Sequence, residues 1–463
     1  MIERLIWYGL CGALALAPLP FAMSNDWSCG AMAIVCGLLL VGWCADARIK
    51  RPWTLSPPFI RHLGLAFLLV LGWAVIQLAS WTPQTWHHPI WIDGSNALGI
   101  PLHGSIALDR EKALSSLLQL ATYGTVFWLS AHLGKDQKRA KAIILTIIAA
   151  SVVYALYGLV VYFAGNQTIL WYRKTAYLED LTSTFVNKNT YATYAGLGWI
   201  CVLALFYDDL GKSVSKTSTT NERLRQFFVF IERRGWRYLL AMSLLITALL
   251  FAHSRAGFSS TLVGIMAFCI ALTLTRSSDR KFIRKFAAGC FLVVILFFAT
   301  SGKMLDERFA RTDLTTEERP HVYRLAMRAI ADQPLLGSGL GSFEALFRFY
   351  RTPDIQSRFD LAHNTYLETA LDLGIPAAAI LFGVLGCISI LNIHAARIRR
   401  RNQAFPCLGI GTTTLIAVHS LFDFSVQIPA VAITYAAIIG TTYAQSFRSH
   451  TFSAESEGLR RAE

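Results

Sequence analysis

Charged side chains are scarce in this chain, at 16% of residues against 54% hydrophobic. A soluble globular protein carries roughly a quarter charged residues, so that class is excluded. Cysteine pairing is lacking too. The nine cysteines lie in or at the ends of apolar runs and no C-x-x-C pair occurs, which argues against a disulfide framework and a zinc site. No fixed-period repeat is present and the two halves are not alike, which disfavours a transporter built from duplicated bundles. Acidic residues number 29 against 43 lysines and arginines, a formal charge of +14. This excess does not mark a nucleic-acid binder, because it sits in short clusters between apolar runs.

Apolar runs, by contrast, recur from end to end, many near the roughly 18 residues that a bilayer-spanning helix needs. Twelve can be traced: 5–23, 27–45, 62–80, 113–133, 142–164, 191–207, 238–252, 257–275, 286–300, 375–395, 404–422 and 428–446. The first follows Glu3 and Arg4 and has features of a signal peptide, but is read as a retained span. Basic clusters at 48–51, 135–141, 223–237, 276–285 and 397–401 alternate with neutral connections. Under the positive-inside rule they are cytoplasmic. The expected fold is therefore an all-α polytopic membrane protein with about twelve transmembrane helices and both termini inside. It forms one membrane domain over 1–463, with a basic cytoplasmic loop at 208–236, a cytoplasmic tail at 447–463 and one long outer loop at 301–374.

That outer loop, between the ninth and tenth runs, is the longest polar interval and holds eight arginines but one lysine, Lys303. Guanidinium groups are the better bidentate ligands for phosphate oxygens. Pro320 is suited to open a helix reaching about Gln333, with Val322, Ala326, Ala329 and Ile330 on an apolar stripe and His321, Arg324 and Arg328 on a basic one. Such a helix would lie at the membrane surface. The glycines of the Pro334-to-Gly341 turn fit a tight turn between interfacial helices better than a nucleotide cradle. Thr365 and Glu368 have capping-box spacing, which starts the tenth span there and leaves His363 just before it. An imidazole so placed could accept a proton from a sugar hydroxyl, or serve as a surface hydrogen-bonding group. Arg255 lies in a very short outer turn. Asn187 and Asn189 suit turn formation or sugar hydrogen bonds, and His419 and Asp423, one helical turn apart, suit a structural pair.

In order, Thr184-Phe185-Val186-Asn187-Lys188-Asn189, Ser254-Arg255-Ala256-Gly257, Arg319-x-x-x-Tyr323, Pro334-Leu335-Leu336-Gly337-x-Gly339 and His363-Asn364-x-Tyr366-Leu367-Glu368 resemble the O-antigen ligase and polymerase superfamily of bacterial inner membranes. The resemblance runs from about Leu102 to Phe422; Tyr323 stands where that family often has Trp. It implies a multi-pass glycosyltransferase that takes a glycan from undecaprenyl diphosphate at the periplasmic face, without metal or other cofactor. His363 would activate the acceptor hydroxyl, and Arg255 and Arg319 would hold the diphosphate. Asn187, Asn189, Asn364, Arg324 and Glu368 are further candidates for substrate contact. Expected partners are the lipid-linked donor, a lipid A-core or other glycan acceptor, and membrane lipids, with no nucleic acid. A ligase is the leading expectation and a polymerase the nearest alternative. The lack of an appended soluble domain after the last run disfavours a protein-glycosylating enzyme. A flippase would instead carry ionisable groups at mid-bilayer depth.

Overall fold

A chain that crosses lipid must satisfy its own backbone, and long apolar runs do so as helices. The computed structural model describes residues 2–50, 59–214, 220–275, 284–286, 288–289, 292, 314–399 and 402–447. Its helices are α1 (Ile2–Leu16), α2 (Asp26–Lys50), α3 (Ile60–Leu78), α4 (Ile90–Leu98), α5 (Arg110–Leu133), α6 (Gln137–Phe163), α7 (Lys188–Ser213), α8 (Thr220–Phe230), α9 (Trp236–Phe251) and α10 (Arg255–Thr273). They are followed by α11 (Leu314–Asp332), α12 (Phe343–Tyr350), α13 (Thr365–Leu373), α14 (Ile375–Ile398), α15 (Ala404–His419) and α16 (Pro429–Gln445). One two-stranded hairpin interrupts the helical pattern, β1 (Thr168–Ile169) antiparallel to β2 (Tyr172–Arg173).

Among the described residues seven helices are long and apolar enough to cross a membrane: α2, α3, α6, α7, α8 to α9 taken as one, α10 and α14. The expected runs other than the ninth coincide with helices, although α1, α15 and α16 are shorter than that class requires. Most of the ninth run, the basic cluster at 276–283, most of the tail and residues 301–313 lie outside the described residues. The basic segment at 208–236 is largely helical instead of an open loop, because α7 extends to Ser213 and α8 joins α9 through a π-turn at Ile231–Gly235.

Burial separates centre from rim. The most apolar window of α7 is 89% buried, against 22% for α14 and 28% for α3. α7 is thus the central post, and α3 and α14 expose the apolar faces that lipid would cover. α10 packs closely on α15 at Gly264 and Gly411, where a Cβ on either would stand under 3.0 Å from the other's carbonyl oxygen. Small residues permit such approach between apolar helices. α10 begins at Arg255 and α15 ends at His419, so this antiparallel contact brings both residues to the same end of the bundle.

Over that end lies a cap with a hydrophobic core of its own, formed by Val322, Ala326, Phe343, Phe347, Phe359 and neighbours. Truncating such a phenylalanine to alanine costs about 3–5 kcal/mol. The stripe expected on α11 faces this core, since Val322, Ala326 and Ala329 are buried. The helix starts earlier than expected, however: Pro320 sits inside it, not at its first position. Within a helix the missing N–H removes one bond, and burial of the stripe offsets that loss. The tenth span also differs. Asn364, not Thr365, is the cap, and the helix it opens ends at Gly374, whose φ of +77° and ψ of 157° break it before α14 resumes at Ile375. Gly337 and Gly339 reach this break: Ser338 N donates to Leu371 O at 3.0 Å, Gly339 N to Asp372 O at 3.0 Å and Ile375 N to Pro334 O at 2.8 Å.

Candidate active site

Three helices start at this end with a polar cap followed by a motif residue. Asn187 caps α7, its Oδ1 accepting from Asn189 N at 2.7 Å; Ser254 caps α10, its Oγ accepting from Gly257 N at 3.1 Å; Asn364 caps α13, its Oδ1 accepting from Tyr366 N and Leu367 N at 3.1 Å. Each cap is worth about 1 kcal/mol. The end of α15 and the residues just after it hold α13 in place. Thr365 N donates to Ser420 O, Asn364 Nδ2 to Leu421 O, and Tyr366 Oη to Ala417 O, at 2.9, 3.2 and 2.9 Å.

His363 therefore sits where α13 meets the end of α15. Its backbone is left-handed at φ +53°, which a non-glycine adopts only when held. Tyr323 supplies one restraint, its hydroxyl donating to the His363 carbonyl at 2.8 Å. The ring stands edge-on to Phe424 at 4.8 Å and Phe359 at 5.9 Å. Nδ1 lies 3.2 Å from Asp423 Oδ1, an ion-pair separation without the alignment of a hydrogen bond. Asp423 is fully buried; Phe424 N donates to its Oδ1 at 2.8 Å and Asn189 Nδ2 donates to its Oδ2. Burial alone would raise this carboxyl, but His363, His419 and Arg319 together outweigh it and hold it down at about 2.

Beside this group opens a cavity of about 1330 Å³ lined by Arg255, Arg319, Lys174, Lys188, Asn189 and His253, among others. Arg319 is tethered through its Nη1 to the Phe422 carbonyl at 2.9 Å. Lys188 Nζ lies 3.0 Å from Asp180, which also meets His253 Nδ1 at 2.7 Å. The structure thus brings Arg255 and Arg319 into one cavity. His363 is next to it: Asn189 and Phe422 belong to the lining, and Asp423 follows Phe422 in the chain. Arg324, Asn364 and Glu368 are not among the lining residues. Arg324 is exposed on α11, Asn364 is occupied as a cap, and Glu368 is buried with its carboxylate accepting from Ala362 N at 2.7 Å. Asn187 donates to Tyr177 Oη at 3.2 Å while capping α7.

Asp423, treated as a helix-spaced partner of His419, instead faces His363 and Asn189, whereas neither ring nitrogen of His419 has a hydrogen-bond partner among the described residues. A signal existed: Asp423 is the one acidic residue between Ala404 and Phe447, and an acid among apolar spans points to a site. Lys174 and Lys188 line the cavity as well.

A helical membrane protein with a cationic cavity under a folded cap is the class these features define. Residues 240–382 match the family model described as O-Antigen ligase. That stretch contains Arg255, Arg319 and His363, and the match supports membership of the O-antigen ligase superfamily, whose ligases and polymerases are glycosyltransferase-like enzymes. Among curated proteins the comparison found no match.

Proposed function

We propose that the protein is an O-antigen ligase-type glycosyltransferase that moves a glycan from undecaprenyl diphosphate to a hydroxyl of an acceptor such as lipid A-core. The reading includes about twelve spans in a bacterial inner membrane, cytoplasmic termini, cytoplasmic segments at 208–236 and 447–463, and a periplasmic catalytic loop at 301–374. The observation that carries it is the meeting of Arg255 and Arg319 in one cavity, with His363 joined to the cavity wall through Asp423 and Asn189.

The chemistry follows from that arrangement. The acceptor oxygen attacks the anomeric carbon while its proton passes to the His363 imidazole. The bond from that carbon to the phosphate oxygen breaks on the opposite face, inverting the centre, and the electron pair leaves on undecaprenyl diphosphate. Fixed guanidinium groups stabilise this growing negative charge without having to reorganise. The donor occupies the cavity, and the acceptor approaches its His363 side. The test is transfer by purified protein from a lipid-linked donor: His363→Ala should lower turnover by about 100- to 10,000-fold, and wild-type turnover would refute the base role. Deleting the gene and running surface glycans on a gel separates the acceptors. Loss of attached polymer with lipid-linked polymer accumulating marks a ligase; single attached repeats mark a polymerase.

A further inference from the structure

We infer that Ser254, Asn189 and Asp423 form a positioning chain that fixes the His363 imidazole from the same helix start that carries Arg255. The inference rests on the reading of His363 as base. Its geometry is two hydrogen bonds with one allowed direction, followed by an ion-pair contact. Ser254 Oγ accepts from Gly257 N at 3.1 Å, so its single proton is free to go to Asn189 Oδ1, 2.7 Å away. That contact orients the amide. Nδ2 must then face Asp423 Oδ2, to which it donates. A flipped amide would set its oxygen against a buried carboxylate, which is repulsive. Asp423, so held, presents Oδ1 to His363 Nδ1 at 3.2 Å.

The consequence is a choice of nitrogen. A carboxylate beside Nδ1 favours the proton there, leaving the Nε2 lone pair for the acceptor's hydroxyl. Other groups around His363 do not supply this. Arg319 and Tyr323 on α11 engage carbonyl oxygens, His419 on α15 has no hydrogen-bond partner among the described residues, Glu368 on α13 binds the Ala362 amide, and Phe359 and Phe424 offer only ring faces and edges. Asn189 and Ser254 are therefore positioning residues, not sugar ligands. They also join the two halves of the reaction, because Arg255 is the residue that follows the Ser254 cap.

The test uses the full-length protein in detergent or nanodiscs with a lipid-linked donor and a glycan acceptor. Asn189→Leu and Ser254→Ala should each lower kcat, by roughly 10- to 100-fold for the former, with donor KM unchanged in Ser254→Ala. Asp423→Asn should lower kcat and move the acidic limb of the kcat profile to lower pH, since a negative neighbour of the imidazole is gone. A paired exchange guards against mere misfolding. Asp423→Asn with Asn189→Asp keeps a hydrogen bond between the two positions but takes the charge away from His363. It should restore the melting temperature without restoring kcat. Recovery of wild-type kcat in the exchange, or wild-type kcat and pH profile in Asn189→Leu while His363→Ala is inactive, would overturn the chain and leave the base intact. Wild-type transfer by His363→Ala would overturn both.

Discussion

Gly337→Ala asks whether the cap must sit where it does for the enzyme to work. Gly337 has φ +68°, a left-handed conformation that costs an alanine roughly 1–2 kcal/mol. The added Cβ would also meet Asp372 O and Gly374 N at 2.4 Å, both backbone atoms, where ordinary contact begins near 3.4 Å. No side-chain rotation relieves such a clash. The turn and the break between α13 and α14 must instead separate by about 1 Å, and a displacement of that size at a reacting group can cost about 100-fold in rate. His363 directly precedes the Asn364 cap of α13, so the shift is passed to the imidazole. Gly383→Ala is the matched control: it lies within α14 with nothing inside 4 Å of an added Cβ, and exchange there should be neutral or slightly stabilising. Thermal unfolding in detergent and transfer assays on both variants give the answer. Gly337→Ala with the melting temperature and turnover of the parent would show that the contact between turn and helix break does not position the site.

Three further outcomes are expected. Arg255→Lys and Arg319→Lys should each lower turnover by about tenfold or more although charge is kept, because an ammonium lacks the planar fork; unaltered rates and donor affinity would remove the diphosphate role. Tyr323→Phe should lose turnover by releasing the His363 carbonyl, whereas Tyr323→Trp should keep much of it if the indole N–H reaches that oxygen, and equal behaviour of the two would refute the restraint. Glu368 is pushed up to about 7 by burial, and burial together with Glu368 raises Asp372 well above the usual carboxylate range. A raised folded-state carboxyl contributes stability below its unfolded pKa, about 4.3, and that contribution is lost as pH rises through about 7. The melting temperature should therefore fall between pH 5 and 8 by roughly the stability that this linkage implies, and Glu368→Gln should flatten the fall; an identical slope in the variant would show that the pair is not the titrating element.

The helices were legible because lipid-spanning runs are continuous and basic connections punctuate them. Local capping was legible only in part: the capping-box spacing marked the start of α13 at Thr365, one residue past the Asn364 cap. Asp423 was not. Its i, i+4 spacing to His419 offered a plausible local partner, whereas its actual neighbours, His363 and Asn189, arrive from distant parts of the chain. Only the packing of α13 onto the end of α15, and of α7 against α15, brings them together. The asparagines failed in the same way: their turn-forming chemistry could be read, but the direction in which Asn189 spends its two polar ends depends on Ser254 and Asp423. The early start of α11 was hidden by proline's local preference, which the buried stripe overrides.

Charge in the cavity argues for the kind of ligand it takes. Among the described residues, Lys174, Lys188, Arg255 and Arg319 line it against two carboxylates, Glu179 and Asp180, leaving two positive charges in excess. An esterified diphosphate carries two negative charges, so the wall can neutralise it without demanding a further acid on the sugar. The balance is adjustable. Asp180 holds Lys188 at 3.0 Å and His253 at 2.7 Å, and these partners outweigh burial to keep its carboxyl low. On the proposed reading an arriving phosphate would compete with Asp180 for Lys188, which would make Lys188 a donor contact in reserve behind the two arginines. Removing that carboxylate with Asp180→Asn would raise the excess to three and should tighten the product, undecaprenyl diphosphate, more than it speeds transfer. An increase in product inhibition with little gain in kcat supports this arrangement, and unchanged product affinity would count against a cavity matched to the leaving group.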